Sequence, residues 1–169
     1  NNFYEIIYPC LRLYEENVDM IKLEGLTNDD IHNPEMRALM IPTNNTMFMR
    51  GLYRPEIRLG DRIGSITGQN AGCYLTTINF GKKIIDILEQ RPGQHADHSM
   101  GLLFNTNKIY ISRKILFKQL TSYSNIEGRD RIYYPLFDFE IYDKYYDNYQ
   151  KKFIQDNFIY NNDKFYLKK

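Results

Sequence analysis

Residues 46–53 read TMFMRGLY and residues 108–117 read KIYISRKILF. Both are short runs rich in β-branched or aromatic side chains, the types that fit a pleated, half-buried surface. Each is read as a strand, the first ending near Gly51. Between them CYLTTINF (73–80) reads as a strand or a strand running into a turn, and MGLLF (100–104) as a further strand. GKKIIDILEQ (81–90) reads as a short helix carrying Ile84, Ile85, Ile87 and Leu88. LGDRIGSITGQNAG (59–72) is a turn-rich crossing with one short strand, and RPGQHADHS (91–99) a loop.

Working outward, residues 3–23 place Leu11, Tyr14, Val18 and Ile21 at three- and four-residue spacings, one face of a helix that Pro9 interrupts at its start. Asn33 is a helix N-cap followed by Pro34 and Glu35 in the first turn, and Pro42 ends that helix. SYSNIEGRDR (122–131) reads as a turn or exposed loop. The strand IYYPLFDFEIYD (132–143) follows, with Pro135 marking an edge or a break. The tail NFIYNNDKFYLKK reads as a hairpin turned at Asn161-Asn162. Helices first and strands after give an α+β fold: N-terminal helices, then a mostly antiparallel two-sheet core with a cleft.

The 169 residues fit a single domain, residues 1–169, and 43% hydrophobic content supplies a core without disulfides or a metal. The chain opens Asn1-Asn2 without a methionine, which reads as a processed form or a fragment of a longer chain. A formal charge of +1 lacks the basic excess from which duplex-DNA binders draw much of their affinity. No run approaches 18 apolar residues, so no membrane partner is expected. Cys10 and Cys73 are too few and too far apart for a disulfide framework or a zinc knuckle. The 15 Tyr and 10 Phe, with abundant Asn, Ile and Lys and no Trp, are what an AT-rich coding genome of a virus or low-GC microbe would produce.

Three polar features stand in a suggestive order. Arg50-Gly51 offers a rigid donor fork beside a glycine at a strand end, suited to a phosphate or carboxylate. Thr76-Thr77 puts adjacent hydroxyls at another strand end, and Glu127 and Asp130 lie in the loop IEGRDR, with Glu140 further on. A carboxylate so placed stabilises an oxocarbenium-like centre. This order resembles the arginine–serine–glutamate class of mono-ADP-ribosyltransferases. The carrying residues are Phe48-Met49-Arg50-Gly51, the turn Gly60-Asp61, the run Tyr74-Leu75-Thr76-Thr77 with a helix after it, and SYSNIEGRDRIYYP. The resemblance covers residues 27–143, and departs from the family's Glu-X-Glu pattern, since Arg131 precedes Ile132. It implies two packed sheets around an NAD cleft, with no metal. Arg50 and Gly51 would form the cofactor-binding corner, with Arg50 on the NAD phosphate or ribose. Thr76 or Thr77 would support the nicotinamide ribose, and Glu127 would stabilise the oxocarbenium as nicotinamide leaves. The domain is then an active or a degenerate transferase.

Other readings compete. His95 and His98 in QHADH, with His32, Asp29 and Asp30, are the candidate metal ligands, though their setting after Pro92-Gly93 favours a loop. Tyr110 and Lys114, with a histidine, match the Tyr-X-X-X-Lys spacing of metal-independent viral cyclic-dinucleotide nucleases. The tyrosine-rich stretch DFEIYDKYYDNYQKKF (138–153) suggests a non-enzymatic module that binds a protein partner, because tyrosine gives rigid amphipathic contact area. Its residues Tyr142, Tyr145, Tyr146 and Tyr149 also have the spacing of a helix face packed on a sheet.

Overall fold

A computed structural model describes residues 3–23, 34–45, 47–59, 62–66, 73–93, 96–112, 122–124, 129–131 and 148–169. The fold is α+β, with an N-terminal helix and a mixed sheet. Helix α1 spans Phe3–Glu15 and contains Pro9. It stops where Asn17 turns left-handed (φ 58°). Val18 N–H then reaches back to the Leu13 carbonyl at 3.3 Å and Asn17 N–H to that of Tyr14 at 3.2 Å. These two bonds are the paired closure of a Schellman cap. Val18 and Ile21 therefore do not continue the helix, as their spacing suggests. Residues Met20–Lys22 form strand β1 instead.

Helix α2 (Pro34–Ala38) is followed at once by β2 (Met40–Pro42), a strand where the sequence suggested that the helix continues. Strands β3 (Phe48–Gly51), β4 (Tyr53–Leu59), β5 (Arg62–Ile66) and β6 (Tyr74–Thr76) come next. Helix α3 occupies Ile78–Glu89 and α4 Ala96–Gly101. MGLLF is thus the end of a helix and the turns after it rather than a strand. Its apolar residues do enter the core, but from a helix end and the turns that follow it. Strand β7 is Ile109–Ser112. The presumed loop 122–131 carries two short paired strands, β8 (Ser122–Ser124) and β9 (Arg129–Arg131). The chain closes with α5 (Asn148–Asn157) and the hairpin β10 (Phe158–Asn161) and β11 (Lys164–Leu167). The expected strand at 132–143 lies outside the described residues, as do Tyr142, Tyr145 and Tyr146.

Among the described residues, five strands make one sheet in the order β2-β3-β7-β1-β6, and β4-β5, β8-β9 and β10-β11 pair as two-stranded ribbons. Of the described pairings in the large sheet, β1 with β7 is parallel and the other three are antiparallel. Side chains alternate between its two faces. On one face Ile21, Phe48 and Tyr110 pack under α1 with Cys10 and Leu13. On the other, Met20 and Ile109 pack with Phe80 and Ile84 of α3, Met100 of α4 and Phe104. A third cluster joins Ala38, Leu39 and Leu52 to Phe153 of α5 and to Phe158 and Phe165 of the hairpin. The C-terminal segment thus closes the α2/β2 end of the sheet with three buried aromatic rings, each a large apolar contribution.

Candidate functional site

The register of the sheet fixes where the candidate residues stand. Arg50 pairs with Tyr110, Tyr110 with Ile21, and Ile21 with Leu75. These four form a row across one face, the α1 side. Thr76 follows Leu75 and so points to the other face, where its methyl group borders Gly81 of α3. Arg50 and Thr76 are three strand spacings apart, about 14 Å, with their side chains on opposite faces. Thr77 caps α3: its hydroxyl accepts the Phe80 N–H at 3.2 Å. Thr76 Oγ1 donates at long range to the Asp19 carbonyl, 3.4 Å away. Gly51 is buried beside Arg50 and pairs with Met40. Glu127, Glu140, His32, His95 and Lys114 lie outside the described residues. Tyr110, the other member of the proposed Tyr-X-X-X-Lys pair, is buried against Phe48, and burial raises its pKa. Among the described residues no group of three His, Cys, Asp or Glu is placed to hold a metal ion. No described helix is long and apolar enough to cross a membrane.

The structure therefore brings Arg50 together with a different set of groups, of which only Tyr110 is marked in the sequence. The side chain is only 6% exposed. Its Nη2 donates to the Asp163 carbonyl at the tip of the C-terminal hairpin and, at 3.5 Å, to the Asn107 carbonyl. Its guanidinium carbon lies 4.8 Å from the centroid of the Phe165 ring, within cation–π range. Arg50 Nε is buried and has no acceptor among the described residues. Burial pulls the guanidinium below its ordinary pKa, countered by the fields of Asp163, Tyr160, Tyr110 and Asp19.

The hairpin tip owes its shape to its sequence. Asn162 (φ 49°) and Asp163 (φ 60°) are both left-handed. That is the requirement of a two-residue type I′ turn, and Asn and Asp tolerate it better than most residues. The expected hairpin is present, its turn one residue later than Asn161-Asn162. Tyr160 Oη donates to Asp163 Oδ1 at 2.5 Å. That bond, with Lys108 and Arg50 nearby, holds the Asp163 carboxyl below its usual range; the same bond pushes Tyr160 up, against the field of Arg50.

The loop before β7 ties these parts together. The Asn105 side chain accepts the Tyr53 N–H at 2.8 Å and donates to the Tyr53 carbonyl at 2.9 Å, as a neighbouring strand would. Its backbone carbonyl accepts the Phe165 N–H at 2.8 Å, which moors the hairpin. Asn107 accepts from Lys83 Nζ at 2.7 Å and donates to the Leu103 carbonyl at 2.8 Å. Asp19 takes the Lys108 N–H on its carboxylate at 2.8 Å, while its N–H donates to the Lys108 carbonyl at 2.9 Å.

A second feature is a surface. Inward, α1 presents buried Cys10 and Leu13 with partly buried Ile7 and Tyr14. Outward it presents Tyr4, Tyr8 and Leu11, 79%, 60% and 53% exposed, on successive turns. The Arg12 guanidinium lies 5.1 Å from the centroid of the Tyr8 ring. Tyr8, Leu11, Arg12 and Glu16 line an open surface groove of about 470 Å³. The spacing groups Leu11 with Tyr14, Val18 and Ile21 on one helix face, but Leu11 stands outward while Tyr14 packs against the core.

Comparisons with protein-family models, with curated proteins and with solved structures find no match.

Proposed function

We propose that this chain is a protein-binding module that docks a partner through the outer face of α1. A helix lying on a sheet ordinarily turns a polar face to water. Here the face opposite the core carries Tyr4, Tyr8 and Leu11 on consecutive turns, all more than half exposed, and this observation carries the reading. Spacing of i, i+4, i+7 is how a helix presents anchors to a groove, and tyrosine is among the residues enriched at binding hot spots. The groove beside Tyr8 and Leu11, edged by Arg12 and Glu16, adds charges of both signs at the rim. An NAD-cleaving site, by contrast, asks Arg50 and the Thr76-Thr77 pair to line one cleft, and the strand register gives that arrangement no support.

The test compares the wild type with the variant Tyr4→Ser/Tyr8→Ser/Leu11→Ser. Partners are captured from extracts, purified and titrated calorimetrically, with hydrogen exchange followed at residues 4–12. Expected are at least a tenfold loss of affinity in the variant and slowed exchange along α1 in the complex. Equal affinity for both forms would overturn the reading. So would release of nicotinamide from millimolar NAD by the wild type that disappears in Arg50→Ala.

A further inference from the structure

The environment of Arg50 is incomplete in a specific way. Nε–H and the adjacent Nη2–H are the two parallel donors of the guanidinium's side-on fork, the edge that binds carboxylate or phosphate through two oxygens. In this protein Nη2 is engaged by a backbone carbonyl of the hairpin tip, and Nε has no acceptor among the described residues. A neutral carbonyl thus fills half of a site whose geometry suits an anion. The anion that is nearby, the Asp163 carboxylate, is turned to the solvent side and bonded to Tyr160. The nearby charges are two cations, Arg50 and Lys108, and two carboxylates, Asp163 and Asp19, and neither carboxylate is bonded to the fork.

The hairpin tip can yield without the ribbon leaving. Phe158 and Phe165 are anchored in the aromatic cluster and Phe165 N–H is bonded to Asn105. Asn162 and Asp163 lie beyond that anchorage, with exposed side chains.

We propose that the Asn162-Asp163 turn is a tethered occupant of an oxyanion site built on the Nε–Nη2 edge of Arg50, and that a phosphoryl group competes with it for that edge. The turn is then a mask: the site is closed while the carbonyl of residue 163 sits on Nη2, and it opens when the tip swings outward. This inference is independent of the α1 surface and requires no NAD chemistry.

The experiment titrates inorganic pyrophosphate into the full chain by calorimetry. The key variant is Asn162→Pro: the proline ring excludes the positive φ of a type I′ turn, so the tip and the carbonyl of residue 163 leave Arg50 while the net charge is unchanged. Its pyrophosphate affinity is expected to exceed that of the wild type at least tenfold. Adding Arg50→Lys keeps the positive charge and removes the fork, and should return the affinity to the wild-type level or below. Asn162→Gly, which keeps the turn, serves as the control and should leave the affinity unchanged. Equal affinities in the wild type and Asn162→Pro, including no binding by either, overturn the proposal. Tightening that survives Arg50→Lys, or that Asn162→Gly reproduces, also overturns it. The Arg50 Nε–H resonance of Asn162→Pro provides a reading that does not depend on the lysine variant folding. It should move on titration, and an unmoved signal sinks the site.

Discussion

Asn105 joins two distant parts of the fold, the start of β4 and the C-terminal hairpin. Its side chain satisfies both backbone groups of Tyr53, and its carbonyl holds Phe165. Asn105→Ala would leave a buried N–H and a buried carbonyl at Tyr53 without those partners. Each such loss costs about 1–3 kcal/mol, so urea unfolding should show a destabilisation of about 2–6 kcal/mol. Asn105→Asp should be nearly as damaging, since a carboxylate cannot donate to the Tyr53 carbonyl. Cys10 illustrates a different residue-scale effect. Its thiol is fully buried, and burial pushes its pKa up to about 11. At pH 8 a disulfide reagent should modify Cys10 only after unfolding; prompt labelling of Cys10 in the native protein would contradict its placement. Little of this was legible beforehand. Arg50 stood out because arginine beside glycine in an apolar run is conspicuous. Asn105, Asn107 and Asp163 did not, because in a sequence they look like ordinary turn formers. Their partners lie at distant positions, and no local pattern signals such a bond.

The elements were legible where one local signal dominated. Helix α3 was found from its run of isoleucines, and the final hairpin from its Asn-rich turn flanked by aromatic residues. The failures share a cause: an apolar stretch that satisfies two periods at once. Residues 11–21 have helical spacing, but the Schellman cap at Asn17 ends the helix and hands Met20–Lys22 to the sheet. In CYLTTINF a strand propensity hides a boundary, since Thr77 leaves the sheet to cap α3. That gives a direct test. Thr77→Ala should destabilise by about 1 kcal/mol, and Thr77→Ser or Thr77→Asp should restore most of it, because either still accepts the Phe80 N–H. Thermal unfolding of the three variants would measure it. An equal loss in all of them would mean that the Thr77 methyl group, rather than its hydroxyl, matters. Phe104, fully buried between sheet and helices, belongs to the same packing layer as α3. Phe104→Ala should cost about 3–5 kcal/mol, enough to threaten folding altogether.

Across the molecule, the two phenolic and thiol groups under α1 tie stability to alkaline pH. Cys10 rises from 9.0 to about 11 and Tyr14 from 10.0 to about 12, both mainly through burial. The unfolded chain releases these protons first. Their stabilisation is therefore complete below pH 9 and lost as pH climbs through 11 and 12. The melting temperature should fall steadily above pH 9, and Cys10→Ala should flatten the earlier part of that fall. A flat profile to pH 11 would mean that α1 opens to solvent. The mixed α+β character of the molecule was legible from the order of its segments, but the strand order was not. It depends on which distant runs find one another, and the parallel pairing of residues 20–22 with 109–111 has no local signature. That pairing also sets a timetable for the growing chain. β1 leaves the ribosome nearly ninety residues before the parallel partner that completes its pairing, so that side of β1 waits for cover. Closing so distant a contact is slow, and the aromatic latch follows later still along the chain. In a cell, this protein should lean on chaperones most during its own synthesis, and a ribosome stalled before residue 109 should hold a chain that proteases cut readily within residues 3–23.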